Sequence, residues 1–291
     1  MTILPSFPTG PAHVPPYTAR IRAKYFTSLT RRGGRRHLYF LPGAVLKLGA
    51  NGTERRRLVA ESNHTAAAAR HPFWSGLPAR LLPILGTIIV GRRYELVTRE
   101  DFAAVSRLLD RRLQACADLP PRPMIDDVER SEPAVGQLDP SEQARLGELL
   151  APEALPSTSM HGDLHFFNFV RSGGSFRIID WEHFEDDGSF VLDYVNFHVS
   201  VDNVNGPRQW ADTLGALSLD HPAIRRAAEV SGTSPRALRA YYLMRKSATI
   251  LKRRMEMMQL DAETSCRFVE PLRNAITSAA VLSCNAVPAV L

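Results

Sequence analysis

The stretch that most constrains this chain runs from His161 to Asp193, HGDLHFFNFVRSGGSFRIIDWEHFEDDGSFVLD. Phe166 to Val170 is apolar and aromatic around Asn168, Gly173-Gly174 marks a hairpin turn, and Phe176 to Ile179 is a short apolar run ending on Asp180. A chain that folds this turn carries Asp163 and Asn168 on the way into a β-hairpin and Asp180 on the way out, so all three side chains reach one end of it. Two carboxylates and an amide converging there are hard oxygen donors of the kind that hold Mg²⁺. Phosphoryl transfer asks little more of a protein: a carboxylate to orient and deprotonate the attacking hydroxyl, and oxygen ligands for the metal on the nucleotide phosphates.

H-G-D-x4-N, followed twelve residues later by I-D-W-E and then by L-D, resembles the aminoglycoside phosphotransferase and choline kinase superfamily, small-molecule relatives of protein kinases. Its strict core covers some thirty residues. The resemblance implies an α+β, two-lobed fold with a small five-stranded antiparallel β lobe carrying one helix, a larger mainly α lobe, and ATP and Mg²⁺ between them. It also implies that Asp163 is the catalytic base, that His161 braces the catalytic loop, and that Asn168 and Asp180 are the metal ligands. Asp193 takes the place of a structural carboxylate tying that loop to the next helix. Two other readings of the stretch are a polar hairpin with solvated carboxylates and a two-metal phosphoesterase. The second needs further His and Asp clusters at ligand spacing, and neither a D-x-H near the start nor a later N-H-D occurs.

Charge divides the chain. Residues 1 to 119 hold 19 basic and 7 acidic side chains, and residues 120 to 291 hold 17 and 23. A basic part facing phosphates and an acidic part holding metal would divide this way, and so would a solvated basic surface. The basic residues lack a nucleic-acid motif or a stacking platform, which sets nucleic acid aside as a partner. Cys116, Cys266 and Cys284 are odd in number and far apart, so the expectation is reduced core cysteines in a cytoplasmic protein. No uncharged apolar run reaches the length of a membrane span, and the N-terminal residues do not read as a secretion signal.

Residues 1–19 read as an irregular Pro-rich arm, 20–98 as a nucleotide-binding lobe and 99–291 as a catalytic and substrate-binding lobe. In the first lobe, strands are expected at Ile21–Thr30, His37–Leu41, Ala44–Leu48, Leu81–Val90 and Arg93–Val97, with turns at Arg31–Arg36 and Gly91-Arg92. Lys47 stands out inside an apolar strand, being one of only four lysines among 36 basic residues. Thr53 is the expected cap of a helix running to Arg70. The resemblance makes Lys47 the lysine that contacts the phosphates and Glu61 its partner on that helix, with Glu54 as runner-up. It also puts a hinge at Glu95–Asp101, where the backbones of Glu95 and Val97 would read a purine edge.

Asp139-Pro140-Ser141-Glu142 starts a helix with an N-cap, a proline at its first position and a capping box. Beyond Asp193 the pattern is helical throughout. Ten carboxylates against three arginines between Asp163 and Asp220 suit a cationic substrate, or else a solvated loop. Glu182 is the candidate substrate contact, His165, His183 and His198 read as structural or surface histidines with proton carriers as the alternative, and Trp181 reads as packing. The functional expectation is ATP- and Mg²⁺-dependent transfer of the γ-phosphoryl group to a hydroxyl of a small molecule: an aminoglycoside, an amino alcohol or a sugar. Alternatives are a kinase of a sugar or glycan intermediate in polysaccharide synthesis, and a catalytically silent nucleotide-binding scaffold. Oligomeric state, the choice between ATP and GTP, and the identity of the acceptor leave no trace in the sequence.

Overall fold

The computed structural model describes residues 26–31, 34–41, 44–49, 51–84, 88–92, 94–204, 210–256 and 260–283. The arm expected at 1–19, Arg32-Gly33 of the turn expected at Arg31–Arg36, and Cys284 lie outside these residues; Arg31 and residues 34–36 of that expected turn are strand instead. In chain order the elements begin with strands β1 (Phe26–Arg31), β2 (Gly34–Leu41) and β3 (Ala44–Gly49), helix α1 (Gly52–Arg70), and strands β4 (Leu81–Ile84), β5 (Ile88–Arg92) and β6 (Glu95–Leu96). Then come α2 (Phe102–Cys116), β7 (Pro121–Pro123), α3 (Glu132–Val135), α4 (Pro140–Leu150) and β8 (Ala154–Pro156). The hairpin β9 (Phe169–Ser172) and β10 (Ser175–Ile178) precedes a helical run: α5 (Phe190–Val204), α6 (Trp210–Ala216), α7 (Pro222–Ser231), α8 (Pro235–Glu256) and α9 (Ala262–Ser283).

The chain forms two compact units, Met1–Arg112 with Thr158–Pro207, and Leu113–Ser157 with Arg208–Leu291. The first holds an antiparallel sheet in the order β1-β2-β3-β5-β4, with α1 packed on it. Two strand expectations need correction. Leu81–Val90 is not one strand but two, paired antiparallel with Ile84 opposite Ile88. The stretch at Glu95–Leu96 belongs to a separate sheet, where it pairs with β9 through Glu95 opposite Arg171 and Leu96 opposite Val170. The expected turn at Gly91-Arg92 is therefore the end of β5.

Helix α1 starts at Asn51, whose side chain accepts the Glu54 N–H at 2.8 Å. Asn51, not Thr53, is the cap, because its extended backbone turns the side chain back onto the first turn. The buried positions Glu54, Leu58, Glu61, Thr65 and Ala68 recur at alternating steps of four and three, which is one face of a helix. The end of β3 meets this helix closely: a Cβ on Gly49 would lie 2.7 Å from the backbone N of Arg55. His71-Pro72 ends the helix as expected.

In the second unit, α4 carries the anticipated capping box, with Asp139 and Glu142 bonding reciprocally. Asp127 is buried and receives Arg122 and the Tyr241 hydroxyl, with Arg245 at 3.8 Å. A carboxylate ringed this way is satisfied, and burial beside it raises the Tyr241 hydroxyl pKa. Helices α8 and α9 pack together, and the Ser247 hydroxyl donates to the Phe268 carbonyl at 2.6 Å. Lys246 lies 4.3 Å from the Trp210 ring centre. Cys116 is a core residue, but Cys266 is exposed on α9, which corrects its assignment to the core. No helix among the described residues is long and apolar enough to cross a membrane.

Candidate active site

The catalytic-loop candidates all fall in the first unit and hang on the β9–β10 hairpin. Gly173 and Gly174 sit at φ 54° and 80°, the left-handed pair that a two-residue turn needs to match strand twist. Ile178 pairs with Phe169, and the Ile179 N–H continues the ladder onto the Asn168 carbonyl at 2.9 Å. Asn168 therefore lies across from Ile179, with Asp180 next along. Buried Asn168 donates its Nδ2 to the Asp163 carbonyl at 2.9 Å, which fixes the amide and leaves Oδ1 as its acceptor end. The entry and exit of the hairpin are thus joined through backbone and side chain together.

His161 braces this arrangement. Its Nε2 lies 2.9 Å from the Ile179 carbonyl, which only accepts, so Nε2 carries the proton and Nδ1 accepts the Asp163 N–H at 3.3 Å. Burial pushes the imidazole pKa down to about 4, which keeps the ring neutral in that tautomer. Asp193, at the start of α5, accepts the backbone N–H groups of His161 and Gly162. Burial pushes its carboxyl up to about 7, against the downward pull of those N–H bonds. Gly162 is obligatory: at φ 81° a Cβ would stand 2.3 Å from the His183 carbonyl oxygen.

Asp180 is the one non-glycine with positive φ among the described residues, at 66°. Such a conformation costs on the order of 1–3 kcal/mol and persists only where the surroundings determine it. Here the peptides before it and the turn beyond it are held. The Ile178 carbonyl takes the Trp181 Nε1–H at 2.9 Å, the Ile179 carbonyl takes His161, and the Trp181 carbonyl takes the Phe184 N–H at 3.2 Å. Trp181 is fully buried against Trp74 and His161, its ring centres 5.1 and 4.7 Å from theirs, so it packs, as its position suggested.

Lys47 on β3 reaches both other parts of the site. Its Nζ hydrogen-bonds Glu61 on α1 and lies 3.7 Å from an Asp180 oxygen. Glu61 has no exposed side-chain surface and Lys47 only 15%, whereas 37% of the Asp180 side chain is accessible. Glu54, the runner-up partner, is taken by Arg57 at 3.1 Å. The ammonium thus stands between a buried carboxylate on the helix and a partly accessible one at the exit of the hairpin.

The remaining candidates are less tightly joined to this centre. Glu95 pairs through β6 with Arg171 on β9, and Val97 follows that strand, half-buried. The Glu182 side chain is 7% exposed, and its carboxylate lies 3.4 Å from His183 Nε2. His198 packs among Phe102, Tyr194 and Phe197, and His165 lies 6.2 Å ring to ring from Phe167. Two contributors were not legible in the sequence: Asn196, which donates to the Leu164 carbonyl at 2.8 Å, and His64 on α1, whose Nδ1 lies 3.2 Å from the carbonyls of both Trp181 and Glu182.

The donor set fits a hard divalent cation with a nucleotide phosphate. Among the described residues no three His, Cys, Asp or Glu side chains group as a metal site. A cation here would rest on the Asp180 carboxylate and the Asn168 amide oxygen, the sparse protein coordination that Mg²⁺ accepts when phosphate and water complete its shell.

These features fall on a known type of fold, that of the protein-kinase-like small-molecule kinases. The chain is similar to choline kinase LicA from Streptococcus pneumoniae, with a TM-score of 0.52 and 12% identity over 89% of this chain and 92% of that one. It is also similar to a thermostable mutant of aminoglycoside phosphotransferase APH(4)-Ia (0.51, 15%, 91% and 96%) and to an ethanolamine kinase from Plasmodium vivax (0.50, 12%, 87% and 81%). At these identities the likeness establishes the fold. No protein-family model and no curated protein matches the sequence.

Proposed function

We propose that this protein is an ATP- and Mg²⁺-dependent phosphotransferase acting on an alcohol group of a small molecule. The observation that carries the reading is Lys47 held between buried Glu61 and accessible Asp180, beside a loop that presents Asp163 from the same hairpin. A solvated polar hairpin would not need a buried ion pair or a strained aspartate. A second support is that LicA, whose fold the chain shares, has been solved in complex with AMP, at a TM-score of 0.50.

In this reading Lys47 donates to the nucleotide phosphates, while Glu61 fixes the direction of its ammonium. Asn168 and Asp180 would hold the metal, which when bound would offset the negative charge on the oxygens of the transferring group. Asp163 accepts the proton of the acceptor hydroxyl as that oxygen attacks. Neutral His161 holds the Asp163 backbone and the Ile179 carbonyl in register, so base and metal ligand keep a fixed separation. The backbones of Glu95 and Val97 are assigned to the purine edge and Glu182 to the acceptor side. The acceptor class is an aminoglycoside, an amino alcohol or a sugar, in keeping with the choline, ethanolamine and aminoglycoside kinases of the same fold. A reaction that draws on ATP belongs in the cytoplasm.

The test is ADP release from Mg-ATP against a panel of aminoglycosides, amino alcohols, sugars and glycan intermediates. Turnover with one class, lost in Asp163→Asn, is the expected result. Mg²⁺-dependent ATP binding with no turnover on any acceptor would favour the silent scaffold.

A further inference from the structure

We propose that His64 is a positioning residue for Asp180, tying the helix that carries Glu61 to the turn that follows the metal-ligand aspartate. Asp180 at φ 66° is followed at once by a turn closed by the Phe184 N–H on the Trp181 carbonyl at 3.2 Å. A turn of this kind leaves successive carbonyls aimed the same way. Those of Trp181 and Glu182 both lie 3.2 Å from His64 Nδ1. Carbonyl oxygens only accept, so Nδ1 bears the proton and shares it between them.

The His64 ring also lies 6.2 Å from the Phe184 ring, centre to centre. His64 stands one turn beyond Glu61 on α1, where side chains three apart share a face. One helix thus holds Lys47 through Glu61 and the Asp180 turn through His64. Lys47 in turn lies 3.7 Å from Asp180, which closes a loop of contacts through strand, helix and turn. His161 fixes the peptide just before Asp180 and His64 the second and third after it, so the strained residue lies between two held segments. Any shift of α1 along its axis therefore moves the phosphate-contacting lysine and the metal ligand together.

The inference rests on the reading of Asp180 as a metal ligand, and its test keeps the two apart. Full-length His64→Ala, His64→Asn and His64→Gln variants are compared by hydrogen exchange over Ile179–Glu185 and by ATP affinity with Mg²⁺ and with EDTA. An Asn amide nitrogen falls where Nδ1 stands, whereas a Gln nitrogen lies one bond further out. Ala and Gln are expected to speed exchange of the Phe184 amide roughly tenfold, the upper range for losing one hydrogen bond. They should also cut the Mg²⁺-dependent gain in ATP affinity by a similar factor while leaving affinity in EDTA unchanged. Asn should restore both.

Unaltered exchange in all three variants, or equal rescue by Gln and Asn, would overturn the clamp. Altered exchange with an intact Mg²⁺-dependent gain would overturn its positioning role. If Ala does not fold, the Asn and Gln pair carries the comparison. A wild-type chain with no Mg²⁺-dependent gain would sink the metal-site reading and the positioning role with it, leaving the exchange data to decide the clamp alone.

Discussion

Replacing Lys47 with Met takes away the ammonium bonded to a buried carboxylate. Glu61 has no exposed side-chain surface, and its hydrogen bond to Lys47 sets a positive charge against it. Breaking a buried pair from one side costs about 3–5 kcal/mol. Lys47 keeps 15% of its side chain exposed, so some solvent screens the pair and the low end, about 3 kcal/mol, is expected. The double variant Lys47→Met/Glu61→Leu removes both charges and should recover most of that loss, because a well-packed apolar pair is often as stable as the ion pair it replaces. Urea unfolding followed by tryptophan fluorescence reads this directly: Trp74 and Trp181 are fully buried in the same unit. Trp210 belongs to the other unit, so a Trp210→Phe background isolates the signal. A loss below about 1 kcal/mol for Lys47→Met, the worth of a surface bridge, would refute the reasoning. So would a double variant as unstable as the single one.

Gly162→Ala meets the His183 carbonyl at 2.3 Å from a left-handed backbone, so it should cost more than about 2 kcal/mol in thermal unfolding. Gly174→Asn has the same sign of φ but open space around it and should cost under about 1 kcal/mol. Asp180→Gly removes the positive-φ penalty and adds unfolded-state entropy, two terms of about 1 kcal/mol that nearly cancel. Its stability should stay near wild type while phosphoryl transfer disappears, and a large loss of stability would contradict the strain assigned to this residue.

Two buried groups make stability depend on pH in opposite directions. His161, at about 4 against 6.5, contributes stability that is present above pH 6.5 and lost as pH falls towards 4. Asp193, at about 7 against 3.8, contributes stability that is present below pH 3.8 and lost as pH rises through 7. In the wild type the two slopes oppose each other between pH 4 and 6.5. His161→Gln removes one of them, so its urea midpoint relative to wild type should improve as pH is lowered from 7 to 5. The opposite trend would refute the neutral assignment of His161.

Much of the site was legible because its parts are local. The hairpin, its glycine turn and the residues at its two ends lie within one short stretch, where hydrophobic pattern and turn chemistry act over a few residues. Lys47 stood out as a rare lysine inside an apolar strand, whereas the choice of Glu61 as its partner came from the family resemblance. The split of Leu81–Val90 was missed because the run is apolar at both ends of its centre, and only Pro83 and Gly86 hint at two strands. The pairing of β6 with β9 and the bond from His64 to Trp181 join segments far apart in the chain, and no local preference encodes either. A histidine on a helix with an ordinary polar neighbourhood reads as a surface residue. The left-handed backbone of Asp180 is invisible in sequence too, because an aspartate at the end of a strand is ordinarily extended.

The most direct test of the central claim separates chemistry from binding at Asp163. Single-turnover ADP formation and Mg-ATP affinity are measured side by side for the wild type and Asp163→Asn, with the best acceptor found. Loss of ADP formation at unchanged Mg-ATP affinity is the predicted result, since the base acts on the acceptor hydroxyl and not on the nucleotide. Undiminished ADP formation in Asp163→Asn would contradict the assignment on which the proposed phosphotransferase rests.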